Sequence, residues 1–192
     1  MKIVLASSNK HKVQEINDII KSKGISSIEF ILPPKGFNPV EDGVNFEENS
    51  YIKARAAWEI SKTWVLADDS GLCIDALGGK PGIYSARYAE TPALRIERVL
   101  NEMDEKEDRA AHFTCDMTLL NPKGEVAFKH EGRCEGTIIR EARGQNGFGY
   151  DPIFLVKGDT RTMAELSEDE KNQISHRSIA LNAVLDYLKT II

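Results

Sequence analysis

The sequence contains few of the residues that mark several common classes of protein. Among its 192 residues there are three cysteines, Cys73, Cys115 and Cys134, which lie far apart and form no CxxC pair. Because zinc sites need closely spaced ligands, this spacing argues against one. The odd number of cysteines, together with an amino-terminal apolar run too short for an export signal, predicts a cytoplasmic protein in a reducing compartment.

An excess of positive charge is also absent. The chain has 25 Lys and Arg residues against 30 Asp and Glu residues, a net charge of -5. No global field therefore attracts nucleic acid or an anionic membrane, and no apolar stretch approaches the length that spans a bilayer. We expect neither nucleic acid nor a membrane as a partner. A polyanionic ligand would have to be held by a local group of cations or by a metal ion.

Internal repeats and low-complexity linkers are missing as well. The hydrophobic fraction of 41% and the charged fraction of 29% are typical of a soluble globular protein. The length suits one substantial core. We therefore predict a single domain over residues 1–192.

Two adjacent carboxylates follow an apolar run in the first half of the chain. Val65–Ala67 predicts a buried strand, which we expect Asp68 and Asp69 to end and Ser70 to help break. Carboxylates beyond a strand end can hold Mg²⁺ and orient a water. Alternatively, these are ordinary turn residues. If the strand stays extended, the two carboxylates point to opposite faces, and the sequence leaves open which one serves a site.

A polar segment near the amino terminus joins a predicted strand, Ile3–Ala6, to a predicted helix. The segment is Ser7-Ser8-Asn9-Lys10-His11-Lys12. Free N–H groups and a positive dipole at a helix start suit a phosphate. The two lysines conflict with that dipole unless an anion is bound. The alternative is a helix cap with two solvated lysines.

A further helix is predicted from about Asn45, which fits a capping-box pattern with Glu48. Asn49 and Lys53 are four residues apart in it, so both side chains could point into one cleft. A solvated helix face explains most such lysines. The sequence leaves both interpretations open.

Two long segments later in the chain predict a mixed sheet. Residues 111–120 alternate polar and apolar side chains, Asn121–Gly124 fits a hairpin turn, and a return strand runs from Val126 towards Ile139. An antiparallel hairpin of this length favours a mixed sheet over a doubly wound parallel one.

Two segments of the second half could contact a nucleotide base. Three glycines in residues 144–152 let backbone approach a flat ligand closely, and Phe148 or Tyr150 could stack on it. His176 and Arg177 lie in the first turn of the last predicted helix, where both could donate hydrogen bonds to an oxo group.

Six motifs, in this order, resemble those of the inosine/xanthosine triphosphate pyrophosphatases, a family that removes non-canonical purine nucleotides. They are SSNKHK (7–12), FEENSYIKA (46–54), ADDSGL (67–72), LGGKPGIYSARYA (77–89), GFGYDPIF (147–154) and SHRSIAL (175–181). The set spans nearly the whole chain and is far more specific than any single motif.

The resemblance implies an α/β fold with a long mixed central sheet flanked by helices, forming two lobes around a substrate groove. It implies a homodimer that uses Mg²⁺ to hydrolyse purine nucleoside triphosphates, namely ITP, dITP and XTP, to the monophosphate and pyrophosphate. Such an enzyme cleanses the nucleotide pool and keeps deaminated bases out of DNA and RNA.

The resemblance also implies a role for each motif residue. Asp69 would be the general base and a metal ligand, with Glu41 as a second carboxylate near the metal. The implied substrate contacts are Ser7, Ser8, Asn9, Lys10, His11, Lys12, Lys53, Ser70, Phe148, Gly149, Tyr150, Asp151, Lys171, His176 and Arg177.

Two other functions fit parts of the pattern. A pyrophosphatase of different base preference would keep the chemistry, but the SHR segment at 175–177 argues against it. A non-catalytic nucleotide sensor would need the phosphate segment but not Asp69, and the intact DDSG segment with Glu41 argues against that function.

Overall fold

The structure is a computed structural model that describes residues 1–8 and 10–192, with the backbone alone for residues 10–12, 15, 18 and 22. Six strands and five helices are assigned in these residues. The strands are β1 (Lys2–Leu5), β2 (Glu29–Ile31), β3 (Val65–Ile74), β4 (Ala110–Leu120), β5 (Val126–Ile138) and β6 (Phe154–Val156). The helices are α1 (Lys10–Ser22), α2 (Phe46–Ser61), α3 (Pro92–Glu102), α4 (Glu168–Ile174) and α5 (His176–Lys189).

The strands form one mixed sheet in the order β2-β1-β3-β4-β5-β6. Strand β1 runs parallel to both β2 and β3, and β5 runs antiparallel to β6. The hairpin turn between β4 and β5 is closed by the Gly124 N–H, which donates to the Asn121 carbonyl at 2.9 Å. The predicted mixed sheet with flanking helices is therefore confirmed.

The chain divides into two compact units. The first comprises Met1–Asp69, Asp116–His130 and Asn182–Ile192, and the second comprises Ser70–Cys115 and Glu131–Leu181. Each unit has an apolar core of its own. In the first, α2 packs on the sheet through Val4, Ala6, Ala54, Ala57, Val65, Ala67 and Leu120. In the second, the core includes Leu72, Val99, Met103, Phe113, Ile138, Tyr150, Ile153 and Phe154.

Helix α2 begins where its sequence predicts. The Asn45 side chain accepts from the Glu48 N–H at 2.8 Å, while the Glu48 carboxylate accepts from the Val44 N–H at 3.0 Å. The helix ends at Ser61, and the N–H of the next residue, Lys62, which has a left-handed φ of 51°, donates to the Trp58 carbonyl at 2.8 Å. These contacts define the two ends of the helix.

Strand β3 corrects one expectation. Asp68 and Asp69 were expected to end the strand and Ser70 to help break it, but β3 continues without interruption to Ile74. The reason is its place in the sheet, where β4 is a hydrogen-bonded neighbour of β3, while β1 pairs with it only at Val65 and Leu66. Ladder hydrogen bonds to neighbouring strands outweigh the turn preference of Asp, Ser and Gly, which is a weak local effect.

No helix in the described part of the chain is both long enough and apolar enough to cross a membrane.

Candidate functional site

Helix α2, strand β3 and the loop before α2 bring two carboxylates to one ammonium group in the first unit. The Nζ of Lys53 lies 2.9 Å from Oδ1 of Asp69 and 3.2 Å from Oε2 of Glu41. Lys53 is buried, like Asn49 and Ala57 of the same helix. The burial of Lys53 contradicts a solvated helix face, while a role in a substrate cleft stays a prediction.

Burial and charge act in opposite directions on this cluster. Burial alone lowers the pKa of Lys53, but the carboxylates of Asp68, Asp69 and Glu41 together outweigh it, so the pKa is raised. Lys53 therefore stays protonated at neutral pH. Burial also raises the pKa of Asp69, and the Lys53 ammonium offsets this only in part. A carboxylate with a raised pKa is a better proton acceptor than an ordinary exposed one.

The structure separates the roles of the two adjacent carboxylates. Asp68 is 1% exposed, whereas the Asp69 side chain is 14% exposed and accepts a hydrogen bond from the Lys53 ammonium. Successive residues of an extended strand face opposite sides. Asp69 is thus the carboxylate that shares a face with Glu41 and Lys53.

The donor chemistry of this cluster fits Mg²⁺. Mg²⁺ prefers oxygen ligands and is commonly held by one or two carboxylates together with substrate phosphates. Glu41 and Asp69 supply two carboxylates that already have a cationic group between them. Among the described residues there is no group of three or more His, Cys, Asp and Glu side chains that could hold a metal ion. A cage made of protein ligands alone is therefore not seen in that part of the chain.

The proposed phosphate segment lies where β1 leads into α1. Ser7 is half-buried, Ser8 is exposed, and α1 begins at Lys10, as the strand–helix pattern predicts. Asn9 lies outside the described residues, and so do the side chains of Lys10, His11 and Lys12. Phosphate binding by this segment stays a prediction.

A second group of the implied residues surrounds Asp151 in the second unit. Asp151 is buried, and its Oδ2 accepts from Nζ of Lys171 at 2.5 Å and from the Phe148 N–H at 2.9 Å. Phe148 is 60% exposed, and its ring centroid lies 4.7 Å from Nζ of Lys171 and 5.8 Å from Cζ of Arg177. An exposed aromatic face thus lies beside two cationic donors.

The loop that carries Phe148 depends on a glycine. Gly147 has a φ of +75°, and a Cβ there would collide with the Asp151 carboxylate and lie 2.9 Å from Nζ of Lys171. Gly149 also has a positive φ, of +63°, with open space around it. Any other residue at position 147 would disturb the Asp151–Lys171 pair.

Of the two aromatic residues considered for base stacking, Phe148 has the exposed ring. Tyr150 is 4% exposed and donates its hydroxyl hydrogen to the Ser85 carbonyl at 2.9 Å. Its side chain therefore belongs to the core of the second unit. A substrate contact at Tyr150 would involve its backbone.

His176 and Arg177 open α5, as predicted. The Oγ of Ser175 accepts from the Ser178 N–H at 3.1 Å, so the Ser175 side chain caps the helix. The His176 ring is buried and stacks on Phe113, with centroids 5.0 Å apart. The Arg177 guanidinium reaches Oγ of Ser70 at 3.4 Å.

The sequence is similar over nearly its whole length to one protein family. A sequence profile described as the Ham1 family matches residues 3–187. The chain belongs to the Ham1 family. The resemblance carried by the six motifs is confirmed.

Individual members of the family support this assignment. The chain is 46% identical over 188 residues to a dITP/XTP pyrophosphatase of Thermosynechococcus vestitus, covering 98% of this chain and 95% of that one. It is also 46% identical over 195 residues to a dITP/XTP pyrophosphatase of Bacillus subtilis, covering 97% and 96%.

Solved structures of the Ham1 family share the fold. The Ham1 protein of Staphylococcus aureus matches with a TM-score of 0.90 at 38% identity and covers 100% of both chains. A HAM1 protein from Coxiella burnetii matches with a TM-score of 0.90 at 42% identity and covers 99% of both.

Sequence reasoning missed the hydrogen-bond partners of two buried polar residues of this Ham1-family protein, Asn49 and Ser85. Asn49 accepts from the Gly43 N–H at 2.9 Å, and Ser85 accepts from the Leu72 N–H at 2.9 Å. Asn49 had only its helical spacing from Lys53 as a signal, and Ser85 had only its place in the motif LGGKPGIYSARYA. Neither signal reveals a hydrogen-bond partner.

Proposed function

We propose that this protein is a nucleoside triphosphate pyrophosphatase that converts dITP, ITP and XTP to the nucleoside monophosphate and pyrophosphate. The observation that carries the proposal is the cluster in which Lys53 lies between the carboxylates of Glu41 and Asp69. Relatives named dITP/XTP pyrophosphatase, identical at 46% of aligned positions, support the substrate class.

Hydrolysis at the α-phosphorus needs an acceptor for one proton of the attacking water. The water oxygen forms a bond to the α-phosphorus while the bond from that phosphorus to the bridging oxygen breaks, and pyrophosphate leaves. Asp69 is the group proposed to orient the water and accept its proton, because its partly exposed carboxylate lies in the cluster with Lys53 and Glu41. Its neighbour Asp68 is buried and is assigned no such role.

A triphosphate carries about four negative charges near neutral pH, and these must be neutralised locally. Lys53 stays protonated and supplies one positive charge. Glu41 and Asp69 would hold Mg²⁺, which when bound supplies further positive charge to the phosphate oxygens. We further propose that Ser7–Lys12 binds the phosphates through the N–H groups at the start of α1.

The preference for 6-oxopurines is proposed to come from donors around the exposed Phe148 ring. A base bound beside Phe148 would meet the ammonium of Lys171 and the guanidinium of Arg177, which both lie over that ring. Both groups only donate hydrogen bonds. A 6-oxo group accepts such a bond, whereas the 6-amine of adenine is itself a donor and finds no acceptor there. A buried donor left unpaired costs about 1–3 kcal/mol.

The homodimer and the cytoplasmic location remain proposals as well. Cys73, Cys115 and Cys134 are thiols and not disulfides, which agrees with a reducing compartment. Gel filtration with light scattering would measure the oligomeric state, and a mass near 21.4 kDa would contradict the dimer.

An end-product assay tests the function directly. The protein is incubated with Mg²⁺ and dITP, ITP, XTP, GTP, ATP or UTP in water enriched in ¹⁸O. We expect pyrophosphate and ¹⁸O-labelled monophosphate, chiefly from dITP, ITP and XTP. Orthophosphate with diphosphate would contradict attack at the α-phosphorus.

Two further outcomes of that assay separate the alternatives. Pyrophosphate released chiefly from another base would keep the chemistry and overturn the proposed base pocket. Tight nucleotide binding without cleavage, in the presence of Mg²⁺, would favour a nucleotide sensor.

A further inference from the structure

The side chain of Asn49 is a buried polar group one helical turn before Lys53. It is 1% exposed, and its Oδ1 accepts from the Gly43 N–H at 2.9 Å. A buried amide needs partners for both of its ends, because an unsatisfied polar group costs free energy. One end of Asn49 is therefore committed to the loop before α2.

The other end of Asn49 is its amide NH₂ group. A side-chain amide has one acceptor group and one donor group. With Oδ1 on the Gly43 N–H, Nδ2 is the group left to donate. Lys53 follows one turn later on the same buried side of α2. The Asn49 amide thus joins the Glu41-bearing loop to the helix that carries Lys53.

The loop between Glu41 and α2 is seated closely on the first turn of the helix. The Val44 N–H donates to the Glu48 carboxylate at 3.0 Å, next to the Gly43–Asn49 bond. A Cβ on Gly43 would lie 2.7 Å from Oδ1 of Asn49 and 2.8 Å from Cβ of Glu48. The close approach requires glycine, and it fixes the chain two residues after Glu41.

We propose that Asn49 is a positioning residue that holds the Glu41 carboxylate beside Lys53. It acts through the Gly43 N–H, two residues after Glu41. The role rests on the proposed function, since Glu41 is a proposed metal ligand. Asn49 itself contacts neither metal nor substrate in this proposal.

The first test compares Asn49→Ala with Ser50→Ala. Ser50 is the next residue of α2, is fully buried, and shares a 2.7 Å hydrogen bond with Thr118, so its loss is structural. The readouts are hydrogen exchange of the Gly43 amide, Mn²⁺ binding by electron paramagnetic resonance, and kcat and KM for dITP.

We expect Asn49→Ala to speed Gly43 exchange at least about 10-fold. It should weaken Mn²⁺ binding and lower kcat by about 10- to 100-fold, the usual effect of removing a group that orients metal ligands. The KM for dITP should change by less than about 3-fold. Ser50→Ala should lose stability while kcat and Mn²⁺ binding stay within about 2-fold of wild type. Equal behaviour of the two variants would overturn the proposal.

The second test breaks the same contact from the loop side. Gly43→Ala places a methyl group against Oδ1 of Asn49, and we expect the same losses of kcat and Mn²⁺ binding. Wild-type kcat and Mn²⁺ binding in Gly43→Ala would contradict the proposal.

The outcomes separate this inference from the proposed function. A wild-type protein that releases no pyrophosphate from any nucleotide would refute the function, while Gly43 exchange and Mn²⁺ binding would still decide the role of Asn49. If the wild type hydrolyses dITP and Asn49→Ala has the wild-type kcat, Mn²⁺ binding and Gly43 exchange, only the positioning role is refuted.

Discussion

Lys171 donates a hydrogen bond from Nζ to Oδ2 of Asp151 at 2.5 Å, and this pair ties α4 to the segment that carries Phe148. The same oxygen of Asp151 also accepts from the Phe148 N–H. A buried carboxylate therefore sets both the position of the cationic donor and the position of the exposed ring. In the proposed base pocket, stacking on Phe148 and recognition by Lys171 would therefore depend on the same carboxylate.

The first prediction concerns that pair. Lys171→Met should reduce the ratio of kcat/KM for dITP over dATP about 10-fold, because a donor to the 6-oxo group is lost. The ratio is measured with both nucleotides under the same Mg²⁺ concentration. Lys189→Met, which removes an exposed lysine paired with Asp186, is the control and should leave the ratio unchanged. An unchanged ratio in Lys171→Met would place base recognition elsewhere.

The second prediction concerns the proposed general base. Asp69→Asn should lower kcat about 100- to 10,000-fold, because the proton acceptor is removed while the side chain keeps its shape. Nucleotide binding, measured by calorimetry, should stay within about 10-fold of wild type because the phosphate and base contacts remain. Turnover near the wild-type rate would remove Asp69 from the mechanism.

The third prediction concerns Ser85, which holds the segment before α3 to β3. Its Oγ accepts from the Leu72 N–H at 2.9 Å and donates to the Gly82 carbonyl at 2.6 Å. Ser85→Ala leaves the Leu72 N–H unsatisfied and should lower the free energy of unfolding by about 1–3 kcal/mol. Tyr84→Phe, at a neighbouring residue that is 54% exposed, should change it by less than about 0.5 kcal/mol.

Urea unfolding is the measurement for Ser85. The midpoint should fall for Ser85→Ala with an unchanged slope, which indicates a change in stability and not in the unfolded state. If the two variants had equal midpoints, the buried hydrogen bonds of Ser85 would contribute nothing measurable.

The fourth prediction concerns stability in acid. Arg161 donates to Asp159 at 2.9 Å and to Glu170 at 2.8 Å. The hydrogen bond from Arg161 lowers the pKa of Asp159 to about 2, and bonds from the Ser167 N–H and then Arg161 lower the pKa of Glu170 to about 2. A lowered pKa stabilises the folded state above the unfolded-state pKa of about 4, and this contribution disappears as the pH falls to about 2.

Arg161→Gln should therefore lower the Tm at pH 6 relative to wild type, and the difference should shrink as the pH approaches 2. Arg87→Gln is the matched control, because the Arg87 guanidinium packs over the aromatic ring of Tyr84, 5.2 Å from its centroid. Differential scanning fluorimetry at pH 6 and pH 2.5 measures the Tm of each variant relative to wild type. An equal loss of Tm at both pH values in Arg161→Gln would contradict the linkage.

Features with short-range causes were predicted correctly. The Asn45 cap of α2 and the Asn121–Gly124 hairpin turn depend on residues within four positions of one another, so their patterns are visible in the sequence. The end of β3 was predicted wrongly for the opposite reason. Asp69 and Ser70 have turn preferences, but neighbouring strands decide whether the chain stays extended.

The sequence by itself determined the family, the mixed sheet and the set of candidate residues, because motif order, alternation and capping are properties of the chain. The tertiary structure alone decided which of these residues meet. It placed Asp69, and not Asp68, in the ion pair with Lys53, and it placed the Tyr150 ring in the core while leaving Phe148 exposed. It also showed that the Asn49 amide joins the Gly43 loop to α2. Such contacts depend on packing between distant segments, which no local pattern specifies.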